Sequence, residues 1–267
     1  MDDRNYVHGY TERERTRLDD QARTLTDLLH HDTAYPAGSK VLELGCGVGA
    51  QSVILARHSP GAEITSVDIS PASIAAAREA VDREGFANVT FQVADIFDLP
   101  FPEESFDHVF ICFVLEHLPQ PERALAVARR MLRPGGTLTV IEGDHGSAYY
   151  HPGNELSQRT IDCLVEVQKA SGGDALIGRR LYPLITGAGF QRVSVSPRTV
   201  YVDGSRPDLE EGFTRNTFTA MVEGVRDQVI ATKMMARDEW DQGIRGLYRT
   251  AEGGTFLYTF FKGRAIR

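Results

Sequence analysis

The feature that most constrains the fold of this 267-residue chain is a cluster of glycines that follows a short apolar segment. Residues 40–44 read Lys-Val-Leu-Glu-Leu and predict a strand, and the cluster Gly-Cys-Gly-Val-Gly follows at 45–49. Gly45 and Gly47 can adopt positive φ angles and carry no Cβ, so a ligand can lie directly against the backbone. Together with Ala50 they also satisfy the dinucleotide-binding pattern G-x-G-x-x-G/A, so the cluster alone leaves the ligand open.

Strands and helices alternate regularly around this cluster. Apolar runs predict strands at 63–68, 88–94, 106–113 and 137–142, and helical periodicity predicts helices at 52–58, 71–84 and 121–132. Such alternation is typical of an α/β fold, in which helices cover both faces of a parallel sheet. Ligands bind these sheets at the carboxyl ends of the strands, so we expect the residues that follow each strand to form the functional site.

The pattern changes after Glu142. We predict a loop at 143–153, helices at 154–170 and 179–188, a strand at 191–202, mostly helical structure at 207–249 and a closing strand at 255–262. The long stretch between the last two strands exceeds the short connection that a sheet needs, so we interpret it as a cap over the ligand site. The cap residues that could line the acceptor site are Phe213, Phe218, Met221 and Trp240. For each of them the alternative is a place in the ordinary hydrophobic core.

We divide the chain into three parts. A helical stripe of leucine and alanine predicts a helix over 11–30, within an N-terminal segment, 1–35, that covers the site. Residues 36–145 are expected to form the core of the fold. Residues 146–262 complete the sheet, with strands near 191–202 and 255–262 and helical cap insertions near 154–188 and 205–250.

Composition argues against several classes of protein. The net charge of −8 disfavours nucleic-acid binding, which needs a basic surface to neutralise phosphates, and the sequence supplies no obvious one. The three cysteines are scattered, which is typical of neither a disulfide framework nor a zinc site. The sequence shows neither a signal peptide nor an apolar run long enough to cross a membrane, so we expect a cytoplasmic protein without membrane contact.

Four blocks occur in order between Val41 and Glu142, namely ELGCGVG, SVDIS, VADIFDLPFPEESFDHVFICFVLEHLPQP and LRPGGTLTVIE. In this order and spacing they resemble the class I methyltransferases that depend on S-adenosylmethionine (SAM), of the ubiquinone- and menaquinone-biosynthesis type. The resemblance implies a Rossmann-like sheet with an antiparallel closing strand, and SAM as the cofactor. A nicotinamide cofactor is disfavoured, because the sequence lacks the Tyr-x-x-x-Lys pair of hydride-transferring enzymes.

The resemblance also implies the cofactor contacts. These are Glu43, Gly45 and Gly47 at the methionine part of SAM, Asp68 at the ribose hydroxyls, Ile69 and Ile96 against the adenine ring, Asp95 at the adenine amino group, and Phe113 near the methyl group. For Asp68 the alternative is a helix cap before Pro71, although Ser70 is better placed for that role.

Two further contacts with SAM have an open alternative. In many relatives an aromatic residue ahead of the first helix folds back over SAM, and here that residue would be Tyr10, or else Tyr6. Simple packing against the sheet is the alternative for both. Gln51 would bind the amino-acid end of SAM, and the alternative is an exposed helix residue without a role.

Methyl transfer is an in-line displacement, so the protein needs a general base only where the nucleophile arrives protonated. Candidates follow the fourth and fifth strands, namely Glu116, His117, Glu142, Asp144, His145, Tyr149, Tyr150 and His151. We predict His145 and Glu142 as catalytic residues, although Glu142 could instead cap a helix or loop. We predict that His117, Tyr149 and Tyr150 bind the acceptor, with a structural role as the alternative for His117. No Asp-Asp-Asn constellation is present, so we expect no metal ion.

We therefore expect a methyltransferase that acts on a small-molecule acceptor, with no nucleic-acid partner and with a homodimer left open. One alternative is a SAM-binding protein with non-methylating chemistry or a sensing role. Another is a methyltransferase that acts on protein or RNA. The acidic composition and the apparent cap disfavour the last alternative, because a cap would hinder a bulky substrate.

Overall fold

The computed structural model describes residues 24–267. Residues 24–30 are helical and form the end of the helix predicted over 11–30. Tyr6 and Tyr10 lie outside the described residues, so their roles stay predictions. The division of the chain into three parts also stays a prediction.

Eight strands of the described chain form one sheet. They are β1 (Lys40–Leu44), β2 (Glu63–Asp68), β3 (Val89–Val93), β4 (Phe106–Cys112), β5 (Leu132–Gly143), β6 (Tyr149–His151), β7 (Gln191–Asp203) and β8 (Thr255–Ile266). After residue 30 the α-helices are α1 (Ala50–His58), α2 (Pro71–Arg83), α3 (Pro121–Met131), α4 (Glu155–Ala170), α5 (Leu181–Gly187), α6 (Pro207–Leu209), α7 (Ala220–Gly224), α8 (Arg226–Ala231) and α9 (Arg237–Arg249). A π-helix occupies Glu210–Thr219, and 3-10 helices occupy Leu115–His117, His145–Ser147 and Ile177–Arg180.

The strand order is β3-β2-β1-β4-β5-β8-β6, and β7 pairs with β8 off this path. Strands β1 to β5 are mutually parallel, whereas β8 is antiparallel to β5, β6 and β7. The order reverses between β1 and β4, and this switch point is where a ligand crevice forms at the carboxyl ends of the strands. The predicted parallel sheet with an antiparallel closing strand is confirmed.

The start of α2 shows why local sequence predicts these elements well. The Ser70 hydroxyl accepts a hydrogen bond from the Ser73 amide at 3.2 Å, and Pro71 occupies the first turn. Gly85, with a φ angle of +78°, follows the end of the helix. Ser70 thus provides the helix cap, which leaves the Asp68 carboxylate for other partners.

The strand predicted at 137–142 is too short. The observed β5 begins at Leu132, which pairs with Phe106, and the register then shifts before Thr137 pairs with His108. A Cβ at Gly136 would lie 2.8 Å from the Asp107 carbonyl oxygen, so only glycine lets the chain stay this close to β4.

The loop predicted at 143–153 contains structure that the sequence does not indicate, a 3-10 helix and the short strand β6. Gly143 pairs with Phe260, so the residues of β8 that precede Phe260 extend beyond the end of β5. There β6 and β7 pair with opposite edges of β8. Because that edge of β8 is left open by β5, the chain at Tyr149–His151 can add to it.

The helical stretch predicted at 207–249 is correct in outline but is divided into several helices. Its buried side chains join the core cluster on the face of the sheet that also carries Val41, Phe110 and Ile141. A second cluster, built around Leu42, Val109 and the side chains of α3 and α5, covers the other face. None of the helices within residues 24–267 is both long and apolar enough to span a bilayer.

Candidate cofactor and acceptor site

The loop between β1 and α1 depends on backbone conformations that glycine adopts readily. Gly45, Gly47 and Gly49 have φ angles of +73°, +51° and +86°. A Cβ at Gly45 would lie 2.6 Å from a methyl carbon of Val114, and one at Gly49 would lie 2.7 Å from the Cα of Ala77. At Gly47, by contrast, no described atom lies within 4 Å of the Cβ position. The loop is therefore tightly packed against the protein, and Gly47 leaves room for a ligand.

Asp68 meets this loop from the end of β2. Its Oδ2 accepts a hydrogen bond from the Gly47 amide at 2.9 Å, and its Oδ1 accepts one from the Ser70 amide at 2.9 Å. Burial raises the pKa of Asp68 above its ordinary value, against the effect of these amide bonds. A carboxylate has about four lone-pair sites, so further donors such as ribose hydroxyls can bind it as well. The fold thus brings Asp68 and Gly47 together.

Glu43 lies beneath the loop. Its Oε2 accepts hydrogen bonds from the hydroxyls of Ser52 at 2.5 Å and Ser66 at 2.6 Å. Burial raises the pKa of this carboxyl to about 7. Because only 2% of Glu43 is exposed, it can act on a ligand through its charge more readily than through direct contact. The sequence pattern does not identify Ser52 and Ser66, because nothing in it shows that they converge on one carboxylate.

The residues predicted at the adenine end follow β2 and β3. Ile69 is 51% exposed, which is unusual for a large apolar side chain and offers a flat surface to a planar ring. Asp95 accepts a 2.9 Å hydrogen bond from the Phe97 amide, which holds the turn after β3. Ile96 is partly buried against the core. These side chains therefore share the carboxyl edge with Asp68.

Phe113 and Gln51 differ in how the fold holds them. Phe113 has a φ angle of +56°, a strained value for a non-glycine residue, and its ring centroid is 5.6 Å from that of Phe260. Such strain is found most often at functional positions. The amide oxygen of Gln51 is buried, and its side chain lies beside His30. This placement does not fit the alternative of a plain exposed helix residue.

Glu142 fixes the chain that follows β4. Its Oε1 accepts hydrogen bonds from the backbone amides of Val114 at 3.1 Å and Leu115 at 2.8 Å. The side chain is fully buried, and burial, followed by the negative charge of Glu116, raises its pKa well above the ordinary range. These are the contacts of a cap, the alternative role that the sequence left open for Glu142. They hold Phe113 and Glu116 in place at the site.

His145, Tyr258 and Glu116 form a buried polar chain at the same edge. Nδ1 of His145 is 2.7 Å from the Tyr258 hydroxyl, and its Nε2 is 3.7 Å from Oε2 of Glu116. The same carboxylate oxygen accepts a hydrogen bond of 3.2 Å from the Gln168 amide. Burial, followed by the charge of Glu116, raises the pKa of Tyr258 well above the ordinary range, so its hydroxyl stays protonated. The sequence singled out His145 and Glu116, but it missed Tyr258 and Gln168.

The predicted acceptor-binding residues do not all meet this chain. His117 does, with its Nε2 3.6 Å from Oε1 of Glu116. Tyr150 stacks on Phe256 with ring centroids 6.1 Å apart, and burial raises its pKa to about 12. Tyr149 is 70% exposed. Of the three, His117 is therefore the residue in contact with the polar chain.

Aromatic rings enclose the polar chain. The ring centroid of Phe218 is 5.4 Å from that of Tyr258 and 6.5 Å from that of His145. The ring of Phe213 is 5.7 Å from that of Tyr258. The four wall candidates are buried, and Trp240 completely so, which fits the core alternative. Phe213 and Phe218 nevertheless link the cap to the polar chain.

Other ionisable groups at this edge are used within the protein. Asp144 accepts two hydrogen bonds from the Arg179 guanidinium, at 2.6 and 2.8 Å. The cysteines are free and buried. Across residues 24–267, no group of three or more His, Cys, Asp or Glu side chains could hold a metal ion.

Comparisons with known proteins fit this architecture. Residues 42–140 match the family model described as a methyltransferase domain. The chain is 38% identical over 125 residues to demethylmenaquinone methyltransferase of Tropheryma whipplei. The aligned region covers 47% of this chain and 50% of that protein. It is 33% identical over 208 residues to an uncharacterized 37.1 kDa protein in transposon TN4556 of Streptomyces fradiae. The aligned region covers 77% of this chain and 59% of that protein. The chain spans about half the length of the curated relatives it matches.

Solved structures share the fold. Phosphoethanolamine N-methyltransferase 2 of Haemonchus contortus, in complex with phosphomonomethylethanolamine and S-adenosylhomocysteine, superposes with a TM-score of 0.57 at 20% identity. The match covers 92% of this chain and 52% of that chain. It confirms the predicted Rossmann-like fold.

Proposed function

We propose that this chain, which belongs to the class I SAM-dependent methyltransferases, transfers a methyl group from SAM to a small-molecule acceptor. The observation that carries the proposal is the open position at Gly47 beside the carboxylate of Asp68, at the carboxyl edge of the sheet. A cofactor with a ribose and no phosphate fits this loop. Its backbone can be approached closely, and a carboxylate stands where the ribose hydroxyls would lie.

We infer which residues hold the cofactor. Bound SAM would supply an electrophilic methyl group carried by a sulfonium ion. The backbone at Gly45 and Gly47 would border its methionine part, and Asp68 would accept hydrogen bonds from the ribose hydroxyls. The exposed surface of Ile69 would support the adenine ring, as would Ile96. The same proposal includes contacts with SAM from four more residues, Asp95, Gln51, Phe113 and Tyr10.

Glu43 would contribute through electrostatics. Burial raises the pKa of this carboxyl to about 7, so its proton is held more tightly than that of an exposed glutamate. A cation bound in the loop would favour the ionised form, so binding would release a proton from Glu43. The hydroxyls of Ser52 and Ser66 would then stabilise the charged carboxylate.

We also propose that the polar chain handles the proton of the acceptor. In this proposal Tyr258 donates its hydroxyl proton to Nδ1 of His145, 2.7 Å away, and the ring proton of His145 is on Nε2, on the side of Glu116. A proton leaving the acceptor would pass to the Tyr258 oxygen as the Tyr258 proton passes to Nδ1. Glu116, at 3.7 Å, would stabilise the resulting imidazolium. His145 would thus act as the base through Tyr258.

The acceptor is proposed to be a small molecule. The groups that would act on it are buried among aromatic rings, which a bulky macromolecule could reach only with difficulty. The net charge of −8 disfavours a nucleic-acid substrate. The alternatives of non-methylating SAM chemistry and of a protein or RNA substrate predict different products.

Two measurements test the proposal. Thermal unfolding with SAM, S-adenosylhomocysteine and NAD should show stabilisation by the first two, about 2.7 kcal/mol at a hundredfold excess over Kd. Label from methyl-labelled SAM should then enter a metabolite fraction. Label found in protein or RNA alone would refute the small-molecule acceptor, and stabilisation by NAD without SAM would refute the cofactor.

A further inference from the structure

A cavity lies at the end of the sheet opposite to the proposed SAM site. Its volume is about 360 Å³, which is at the lower end of the range for small-molecule sites. It is lined by Asp32, Thr33, Ala34, Tyr35, His108, Thr137, Leu138, Thr139, Arg192, Arg264, Ala265 and Ile266. His108 pairs with Thr137 and Thr139 pairs with Arg264 across adjacent strands, so these side chains lie on one face of the sheet.

This cavity is separate from the proposed SAM site. His108 lies near the start of β4, whereas Phe113 follows its end. At about 3.3 Å per residue, the two edges are roughly 15 Å apart. The same strands therefore carry both sites, at opposite ends.

The wall of this cavity has more positive than negative charge. The Asp32 carboxylate is bound by three cationic side chains, Lys262 at 2.6 Å, Arg198 at 2.6 Å and Arg264 at 2.7 Å. Among the residues that the structure describes, Asp32 is the one carboxylate within 4 Å of these three cations. Of these three cations Arg264 lines the cavity itself, whereas Lys262 and Arg198 contact Asp32 without lining the cavity. An anion in the cavity would balance the excess charge.

Arg192, at the start of β7, is the second cation of the cavity lining. The register of β7 against β8 shifts between Gln191 and Ser194, and Arg192 at this irregularity has a φ angle of +50°. A bulge of this kind redirects a side chain, and here Arg192 lines the cavity. The strained backbone conformation is thus associated with a cation at the cavity wall.

Hydroxyl groups complete the lining. The Tyr35 hydroxyl is buried beside Thr139, and burial raises its pKa to about 12 against the effect of a hydrogen bond with Thr139. The Tyr35 ring stacks on His108, with centroids 4.7 Å apart, which fixes its direction. The hydroxyl of Thr137 is 2.7 Å from Nδ1 of His108. Thr137 and His108 thus add polar groups to the lining beside the arginines.

We propose that this cavity binds a small oxyanion, a phosphate ester or a carboxylate, between Arg192 and Arg264. Guanidinium groups match the oxygens of phosphates and carboxylates in pairs. The volume accommodates the anionic group together with a small organic part. The site is independent of the proposed methyl transfer, because none of its residues contacts the glycine loop or the polar chain.

Calorimetric titration of the full chain, at constant ionic strength, tests this site. The probes are inorganic phosphate, glycerol phosphate and citrate, with sodium chloride as the reference salt. We expect saturable binding of at least one probe with one site per chain, and the tightest probe identifies the ligand class. Arg192→Gln should weaken that binding by about tenfold or more, as expected for a hydrogen bond between charged groups. Arg264→Gln should weaken it by a similar factor, because Arg264 is the other guanidinium in the lining.

Arg245→Gln is the matched control, because Arg245 is an exposed arginine on α9 outside the cavity. It should bind the probes as the wild type does. Absence of saturable binding for all three probes would overturn the proposal, as would unchanged binding in both cavity variants. SAM binding, measured separately in each variant, should stay at the wild-type level.

Discussion

The proposed cofactor side and the proposed acceptor side of the carboxyl edge are built in different ways. On the cofactor side, backbone amides, glycines and the carboxylate of Asp68 come from the first two βα units, close together in the chain. On the acceptor side, Glu116, His145 and Tyr258 are buried ionisable groups from distant parts of the chain. The first arrangement follows from local backbone geometry. The second requires the closing strand and the cap to be in place.

The largest expected effect concerns the acceptor side. His145→Gln should lower kcat by roughly a hundredfold or more, the range for loss of a general base, with SAM affinity unchanged. Steady-state kinetics and SAM titration measure the two quantities separately. Tyr258→Phe should cause a similar loss, and the double variant should be little worse than either one, because the two residues act in one chain.

His31→Gln is the control, since His31 is an exposed histidine outside the polar chain. It should retain most of the turnover. If His145→Gln lost as much SAM affinity as it lost kcat, the separation of the two sides would be contradicted.

On the cofactor side, Asp68→Ala should weaken SAM binding on the order of a hundredfold. The variant removes hydrogen bonds from the proposed ribose hydroxyls and from the Gly47 amide. Titration with S-adenosylhomocysteine measures the loss without turnover. The KM for the acceptor should change little, and wild-type SAM affinity in this variant would show that the ribose assignment is wrong.

A smaller effect is expected at Gly47. Gly47→Ala should weaken SAM binding by about tenfold, because a methyl group would occupy the space left for the ligand. Gly38→Ala is a close control, since Gly38 also has a positive φ angle, +76°, and open space at its Cβ position. Both variants should lose about 1–2 kcal/mol of stability from the left-handed conformation, and only Gly47→Ala should lose affinity. Equal affinities in the two variants would argue against a ligand at this loop.

The smallest effect on activity is expected at Glu43. The pKa of this carboxyl is raised from 4.5 to about 7 in the folded state. Between these two pH values Glu43 is therefore protonated in the folded state and ionised in the unfolded state. The stability of the wild type should therefore fall as the pH rises from 4.5 through 7. Glu43→Gln removes this dependence and should be more stable than the wild type at pH 8 by about 1–3 kcal/mol. Denaturant unfolding at pH 5 and pH 8 measures the difference, and an equal pH dependence in both proteins would show that Glu43 is not the group responsible.

Sequence-based prediction succeeded where short-range pattern determines structure. The strands at 40–44 and 63–68 have the predicted bounds, and Ser70 with Pro71 begins α2 as expected. It failed where pairing decides the structure, as at β6. Tyr149–His151 forms a strand because β8 extends past β5 and leaves an edge to pair with, and no local pattern shows this.

The sequence by itself determined the alternating α/β core and the glycine loop. These depend on periodicity, on short connections and on the freedom of glycine, which are properties of neighbouring residues. Only the tertiary structure decided the partners of the buried charges. Glu142 caps the turn after β4, His145 bonds to Tyr258, and Glu43 is held by two serines. A buried ionisable group needs a hydrogen-bond or charge partner. The fold supplies that partner, which can come from any part of the chain, so the local sequence does not identify it.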